Sequence, residues 1–337
     1  MFQQPNISLE HYDNHHCQRA EIKLFRQDGL LIANELLRLE SKSDLFTRTN
    51  SFQGLSVMYF IPDAFLDSLL SEDIPYGDAT AALLGLEKCQ GNIYCFPKAD
   101  TVVSGISLAA RLFTRAGLTV KVLAKDGDFV VSKTPVLSAS GSADTIHAVY
   151  KTAQNIMEYC SGISTRTRRM VEAVQATNPY CQVVTTRKHF PGTKLLSLYA
   201  VLAGGGLIHR IGLSESILIF DQHRVFASKD ILDRIARIHR TDPERKITVE
   251  ASTVSEALSF ARAGANIVQC ERFVCSDIST LKQKLLEHQL PTLISAAGGI
   301  NVDNAEQYAA AGADFLVTSW PNFGRPMDIK MVITAQN

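Results

Sequence analysis

The chain has 337 residues, 46% of them apolar, with 34 basic and 34 acidic side chains and hence no formal net charge. That length suggests two domains, and the charge balance argues against a broad cationic surface for nucleic acid or anionic lipid. No apolar run approaches the roughly 20 residues of a spanning helix, and the first residues carry no apolar signal core, so a cytoplasmic location follows by default.

Seven cysteines (Cys17, Cys89, Cys95, Cys160, Cys181, Cys270, Cys275) are scattered and odd in number. No CxxC pair occurs, which argues against a zinc knuckle or a disulfide framework and for small buried hydrophobes in a reducing compartment. Residues 1–57 are polar, with His11, His15, His16 and Cys17 in no compact ligand spacing. They read as a leader rather than a metal site, with one amphipathic helical run around 30–39. The folded protein is expected to begin near Met58. There Phe60, Ile61, Phe65, Leu66, Leu69 and Leu70 recur at helical spacing behind a Pro62-Asp63 cap.

An acidic, turn-rich loop at 72–80 follows. Strands are predicted at 91–97, 99–103, 118–124 and 129–138, with Asp126-Gly127-Asp128 as a hairpin-type turn. Helices are predicted at 106–116 and 143–160. From about Val171 the rhythm changes. Short β-branched runs at 181–185, 217–220, 247–249, 266–270, 292–296 and 314–317 alternate with helices at 194–203, 229–239, 254–263, 278–288 and 302–311. Repeated strand–helix units imply a parallel sheet with right-handed crossovers, and six or so of them suit an open or closed β/α barrel. No GxGxxG follows the first strand, which weakens a dinucleotide fold.

A β/α barrel builds its site at the C-terminal ends of its strands. The runs exit onto Arg187-Lys188, then Asp221, His223 and Arg224, then Glu250, then Glu271-Arg272, then Gly298-Gly299, then Thr318-Ser319. About twenty residues after Arg187, Gly204-Gly205-Gly206 leads into His209-Arg210. The cations Arg187, Lys188, His209 and Arg210 suit a carboxylate and a polyphosphate, and the glycines let backbone amides approach an anion. Glu250, Glu271 and Asp221 could hold Mg²⁺ together with substrate phosphates, or else pair with the site's own cations. Gly298-Gly299 with Thr318-Ser319 reads as a phosphate pocket. A terminal phosphate, a metal-bound polyphosphate and an acidic ring together describe phosphoribosyl transfer, in which carboxylates stabilise the charge that builds on the sugar. Two other readings use the same residues. One is a lyase with Lys188 as Schiff-base amine; the other is a non-catalytic protein that senses a phosphorylated metabolite or serves metal uptake.

At these residues the sequence resembles the quinolinate phosphoribosyltransferase family, and more closely its ModD branch, found with molybdenum-transport genes. The matching pieces are 74–78, Gln154-Asn155 with 161–167, Thr186-Arg187-Lys188 with 190–193, 204–206 with His209-Arg210, 295–299, and 312–314 with Thr318-Ser319. The resemblance implies an N-terminal α/β sandwich (58–168), an open β/α barrel (169–320) of the type II phosphoribosyltransferase kind, and a final segment (321–337) returning to the first domain. It also implies a homodimer with shared sites, and a reaction of quinolinate with phosphoribosyl pyrophosphate and Mg²⁺ that gives nicotinate mononucleotide, pyrophosphate and CO₂. By motif position, Arg187, His209 and Arg210 face the acidic ring and Lys188 meets the pyrophosphate. Glu250 and Glu271 lie by the ribose and metal, and Gly298, Gly299, Thr318 and Ser319 take the 5′-phosphate. Two positions depart from the family. Lys151 stands where an arginine reaches across the dimer, and Phe220 stands where a lysine ends the second barrel strand. One cation is lost and the other weakened, which removes counter-charge for a dicarboxylate, so quinolinate is expected to be a poor substrate and the acceptor less acidic or different.

Overall fold

The computed structural model describes residues 61–336, so the expectations for the leader lie outside the described residues. The first elements are α1 (Asp63–Asp73), α2 (Ala79–Leu84), β1 (Gln90–Pro97), β2 (Thr101–Val102) and α3 (Ile106–Arg115). They are followed by β3 (Thr119–Val122), β4 (Phe129–Val130), β5 (Leu137–Ser142) and α4 (Ala143–Thr177). Along β1 the side chains alternate, with Ile93 and Cys95 fully buried and Tyr94 on the other face, the pattern of a half-buried antiparallel strand.

Asp126-Gly127-Asp128 does not close a hairpin. β3 pairs with β5 and β4 pairs with β2, both antiparallel. Asp126 instead accepts from the backbone N–H groups of Ile106 (2.8 Å) and Ser107 (3.2 Å), capping α3 from a distance. The Tyr199 hydroxyl also donates to it, which ties the cap to a barrel helix.

The remainder is a strand–helix alternation. It comprises β6 (Gln182–Thr185), α5 (Lys194–Ala203), β7 (Leu207–Ile208), β8 (Ile217–Ile219), α6 (Asp221–Arg224) and α7 (Ile231–Thr241), then β9 (Ile247–Ala251), α8 (Val254–Arg262) and β10 (Ile267–Glu271). It closes with α9 (Cys275–Glu287), β11 (Leu293–Ala297), α10 (Ala305–Ala310), β12 (Phe315–Thr318) and β13 (Ile329–Ala335). Among the described residues the larger strands form two sheets. One is antiparallel, in the order β13-β1-β5-β3; the other is a seven-stranded parallel half-barrel, in the order β7-β6-β12-β11-β10-β9-β8. The half-barrel has one strand beyond the six read from the sequence. β7 is two residues long and directly follows the glycine triplet, too short to give a period.

α4 has 35 residues, about 50 Å at 1.5 Å per residue, and runs unbroken through the boundary expected at 168/169. Its first half puts Ile146, Val149, Ala153, Ile156 and Met157 into the core of the antiparallel sheet. Its last turns put Met170, Val171 and Val174 into the half-barrel core. Between the two lies a buried face of Ser161, Gly162, Ser164, Thr165 and Thr167. These hydroxyls satisfy backbone that no ladder reaches. Ser104 N–H donates to Ser161 Oγ (3.0 Å), Val102 N–H to Thr165 Oγ1 (3.1 Å), and Ser164 Oγ to Val102 O (2.7 Å).

The small side chains also admit other backbone. A Cβ on Gly204 would stand 2.6 Å from both Ser164 O and Thr167 Cβ, and one on Gly162 would stand 2.9 Å from Arg325 O. Such overpacking costs about 1–3 kcal/mol. Gly204→Ala is therefore expected to lower the unfolding free energy by that amount, read in equilibrium unfolding as a lower urea midpoint with an unchanged m-value.

Candidate active site

The C-terminal ends of the half-barrel strands enclose a cavity of about 950 Å³. Lys188, Arg187, His209, Arg210, Phe220, Glu250, Glu271, Gly298, Gly299, Thr318 and Ser319 all line it. Lys151 does not. It lies exposed on α4, donating to Gln154 Oε1 at 2.8 Å with its ammonium 5.3 Å from the Tyr150 ring centre.

The basic side comes from adjacent strands. β6 lies between β7 and β12. Just past its end, Thr186 N–H donates to Thr318 O (2.9 Å) and His209 N–H to Thr185 O (3.2 Å). The register Thr185↔Ile208, continued past the strand ends, sets Thr186 beside His209 and Arg187 beside Arg210. Asn322 Nδ2 donates to Lys188 O at 2.9 Å, pinning the loop that carries the lysine.

His209 was expected to act as a cation. Burial, and secondarily Arg210, push its pKa down to about 4, so near neutrality it is an uncharged hydrogen-bonding group. Arg210 has its pKa lowered by burial and by Arg187, while Glu215 opposes the shift. Its guanidinium carbon stands 5.7 Å from the centre of the Phe220 ring, and that ring stacks on His223 at 5.9 Å and 12°. Where the resemblance implies a lysine, the chain therefore offers an aromatic face that holds Arg210.

The acidic side is Glu250 on β9 and Glu271 on β10. Burial raises the pKa of Glu250, the nearby Glu271 raises it further, and Arg224 and a hydrogen bond from Gln269 lower it. Gln269 Nε2 donates to Glu250 Oε2 at 3.3 Å, while its buried Oε1 has no partner. Asp221 is not a third carboxylate of the site. It pairs with Arg224, which also donates to Glu256 at 2.7 Å, and it lies outside the cavity lining. The charge-pairing alternative thus holds for Asp221. Among the described residues no cluster of three or more His, Cys, Asp or Glu could hold a metal. Two repelling carboxylates on neighbouring strands suit a hard divalent ion that completes its shell with ligand oxygens.

On the third side Gly298 and Gly299 have φ of +88° and +78°, a backbone that glycine adopts at least cost. Ser319 follows on the rim. Thr318 differs from expectation. Its hydroxyl donates to Ile300 O (2.6 Å) and accepts from Trp320 N–H (3.0 Å), so it shapes the loop and is not spare for phosphate.

The sequence reading missed Gln269 and Ser252 in the lining and gave Arg272 no role. Gln269 was findable, because it precedes Glu271 by two residues and so shares its face of β10. Among the described residues no cysteine lines the cavity. Cys95, Cys181 and Cys270 are buried, and burial pushes each up to about 12. Among the described residues no helix is long and apolar enough to cross a membrane.

An antiparallel domain joined to a seven-stranded half-barrel, with basic, acidic and glycine-rich walls around one cavity, is the arrangement of a barrel-type phosphoribosyltransferase. The model of the quinolinate phosphoribosyl transferase C-terminal domain matches residues 163–332, and that of the N-terminal domain matches 78–161. The chain belongs to this family. It is 36% identical over 282 residues to the "Putative pyrophosphorylase ModD" of Pasteurella multocida, covering 83% of this chain and all of that one. It is 29% identical over 257 residues to a protein of Archaeoglobus fulgidus named a probable nicotinate-nucleotide pyrophosphorylase (carboxylating), covering 75% and 96% of the two chains. The crystal structure of NadC from Streptococcus pyogenes superposes with a TM-score of 0.75 at 25% identity, covering 82% and 97%.

The lowered pKa of His209 makes stability depend on pH. Its contribution is present above the unfolded value near 6.5 and is lost as pH falls from there towards about 4, where the folded form also takes up the proton. His209→Gln is expected to remove on the order of 2–3 kcal/mol of acid sensitivity over that window. Urea midpoints of the parent and the variant at pH 7, 6, 5 and 4.5 read the difference.

Proposed function

We propose that the protein transfers the phosphoribosyl group of phosphoribosyl pyrophosphate to the ring nitrogen of a heterocyclic acid, with Mg²⁺, as a homodimer. One observation carries this reading. Glu250 and Glu271 line the same cavity as Arg187, Lys188 and Arg210, and the glycine pair 298–299 forms a third wall. The nitrogen–C1′ bond forms as the C1′–oxygen bond to pyrophosphate breaks, and the bonding electrons leave with pyrophosphate. Positive charge develops on the sugar, where a carboxylate at Glu250 or Glu271 stabilises it. Lys188 offsets the charge on the departing group, and Arg187 orients the acceptor's carboxylate. Neutral His209 can hydrogen-bond the acceptor without adding charge. Glu250 and Glu271 would hold Mg²⁺, which supplies further neutralisation of the pyrophosphate.

Family membership supports the reaction type, and the carboxylating activity in the name of the archaeal relative suggests the corresponding acceptor. The residues argue for a different one. Phe220 provides an aromatic face instead of a cation, so a single carboxylate is better matched than two. Lys188 is exposed at the cavity wall, whereas a Schiff-base amine is usually activated by desolvation, which disfavours the lyase reading.

Pyrophosphate release with phosphoribosyl pyrophosphate, Mg²⁺ and a panel of pyridine and other azaheterocyclic acids tests the proposal. Release is expected with a monocarboxylate and to be at least tenfold slower with quinolinate. Phe220→Lys should narrow or reverse that ratio through an added counter-charge worth about 1–2 kcal/mol. Rapid quinolinate turnover by the parent would overturn the acceptor assignment, and no release with any member of the panel would overturn the transfer reaction.

A further inference from the structure

Arg272 follows Glu271 at the C-terminal end of β10 and has φ of +56°. A residue with a Cβ enters this left-handed region at a cost, and Asn or Gly would serve such a turn more easily. The turn is fixed by its surroundings. Arg272 N–H donates to Ala297 O at 2.8 Å. A Cβ on Gly298 would stand 2.6 Å from Arg272 Cγ and 3.0 Å from its backbone nitrogen. The glycine therefore makes room for the stem of the arginine as well as for a ligand. The side chain is 84% exposed, lines the cavity, and has one charge contact, Nε to Glu271 Oε1 at 3.7 Å, too long for a hydrogen bond. A strained backbone that lays the stem of a weakly partnered arginine over Gly298, at the cavity wall, points to an anionic ligand rather than to packing.

We propose that Arg272 is a substrate-binding residue whose guanidinium closes on the phosphate group held at Gly298–Gly299. The inference rests on the phosphoribosyl reading and adds a phosphate ligand that the motifs do not assign. It also gives the glycine pair a charged partner, which the committed Thr318 hydroxyl cannot supply.

Titration calorimetry with ribose 5-phosphate and, separately, inorganic pyrophosphate tests the idea on the parent, Arg272→Gly and Arg272→Lys. Glycine suits the backbone, so Arg272→Gly is expected to melt no lower than the parent while binding ribose 5-phosphate at least tenfold more weakly. Arg272→Lys should retain part of that affinity, and pyrophosphate affinity should change less than twofold in both. Equal ribose 5-phosphate affinity in parent and Arg272→Gly overturns the inference alone, as does a loss confined to pyrophosphate. If the parent binds neither probe, the phosphoribosyl reading falls, and the inference with it.

Discussion

The architecture depends on one close approach of backbones against the middle of a single helix. Along residues 161–167 of α4 the side chains are small enough for three separate segments to lie on it. These are the strand end at 102–104, the glycine triplet at 204–206 and the turn leading to 324–326. The first is held by hydroxyls, the second by Arg168, whose Nε donates to Gly204 O (3.1 Å), and the third by Arg166, whose Nε and Nη1 donate to the carbonyls of Pro321 (2.9 Å) and Arg325 (2.6 Å). From these segments the site is built outwards. The triplet leads into His209 and Arg210, and the turn carries Asn322, which grips the backbone at Lys188. A methyl group in the wrong place on α4 would displace groups that never touch it.

The cavity balances charge by position. Glu271 on β10 adds to the cost of ionising Glu250 on β9, and Arg187, just past β6, lowers the affinity of Arg210 for its proton. Neither wall satisfies the other directly, because the cavity lies between them. A ligand carrying both developing positive charge and phosphate relieves both walls at once. Phe220 changes this balance locally. A cation–π contact at a partly exposed site is worth about 0.5–1 kcal/mol, enough to orient Arg210 but not to replace a full counter-charge.

The barrel strands and their exits were legible because fully buried parallel strands are runs of β-branched residues, and Arg187, Glu250 and Glu271 each stand where such a run stops. The antiparallel region was less so. The run at 129–138 is interrupted by a turn and divided between two sheets, and Asp126 looks in the sequence like turn chemistry although it caps α3 at long range. α4 was read as ending near Cys160 because the following Ser-Gly-Ile-Ser-Thr stretch has poor helix propensity. Those same small residues are what tertiary packing requires there. The neutral state of His209 and the engaged hydroxyl of Thr318 follow from burial and from a neighbouring carbonyl, neither of which has a trace in linear sequence.

β13 completes the antiparallel sheet by pairing along β1 from Pro97↔Ile329 to Gly91↔Ala335. Gln154 and Glu158 of α4 hold its first residue, by Gln154 Nε2 to Ile329 O (2.7 Å) and Ile329 N–H to Glu158 Oε1 (3.0 Å). During synthesis β1 emerges long before its partner exists. Its outer edge stays unpaired, a template for unwanted strands, until β13 has been made. The half-barrel strands precede β13, so their sheet can form before the antiparallel one is finished. The antiparallel sheet is thus begun before the half-barrel and completed after it, by a strand that the whole half-barrel separates from β1.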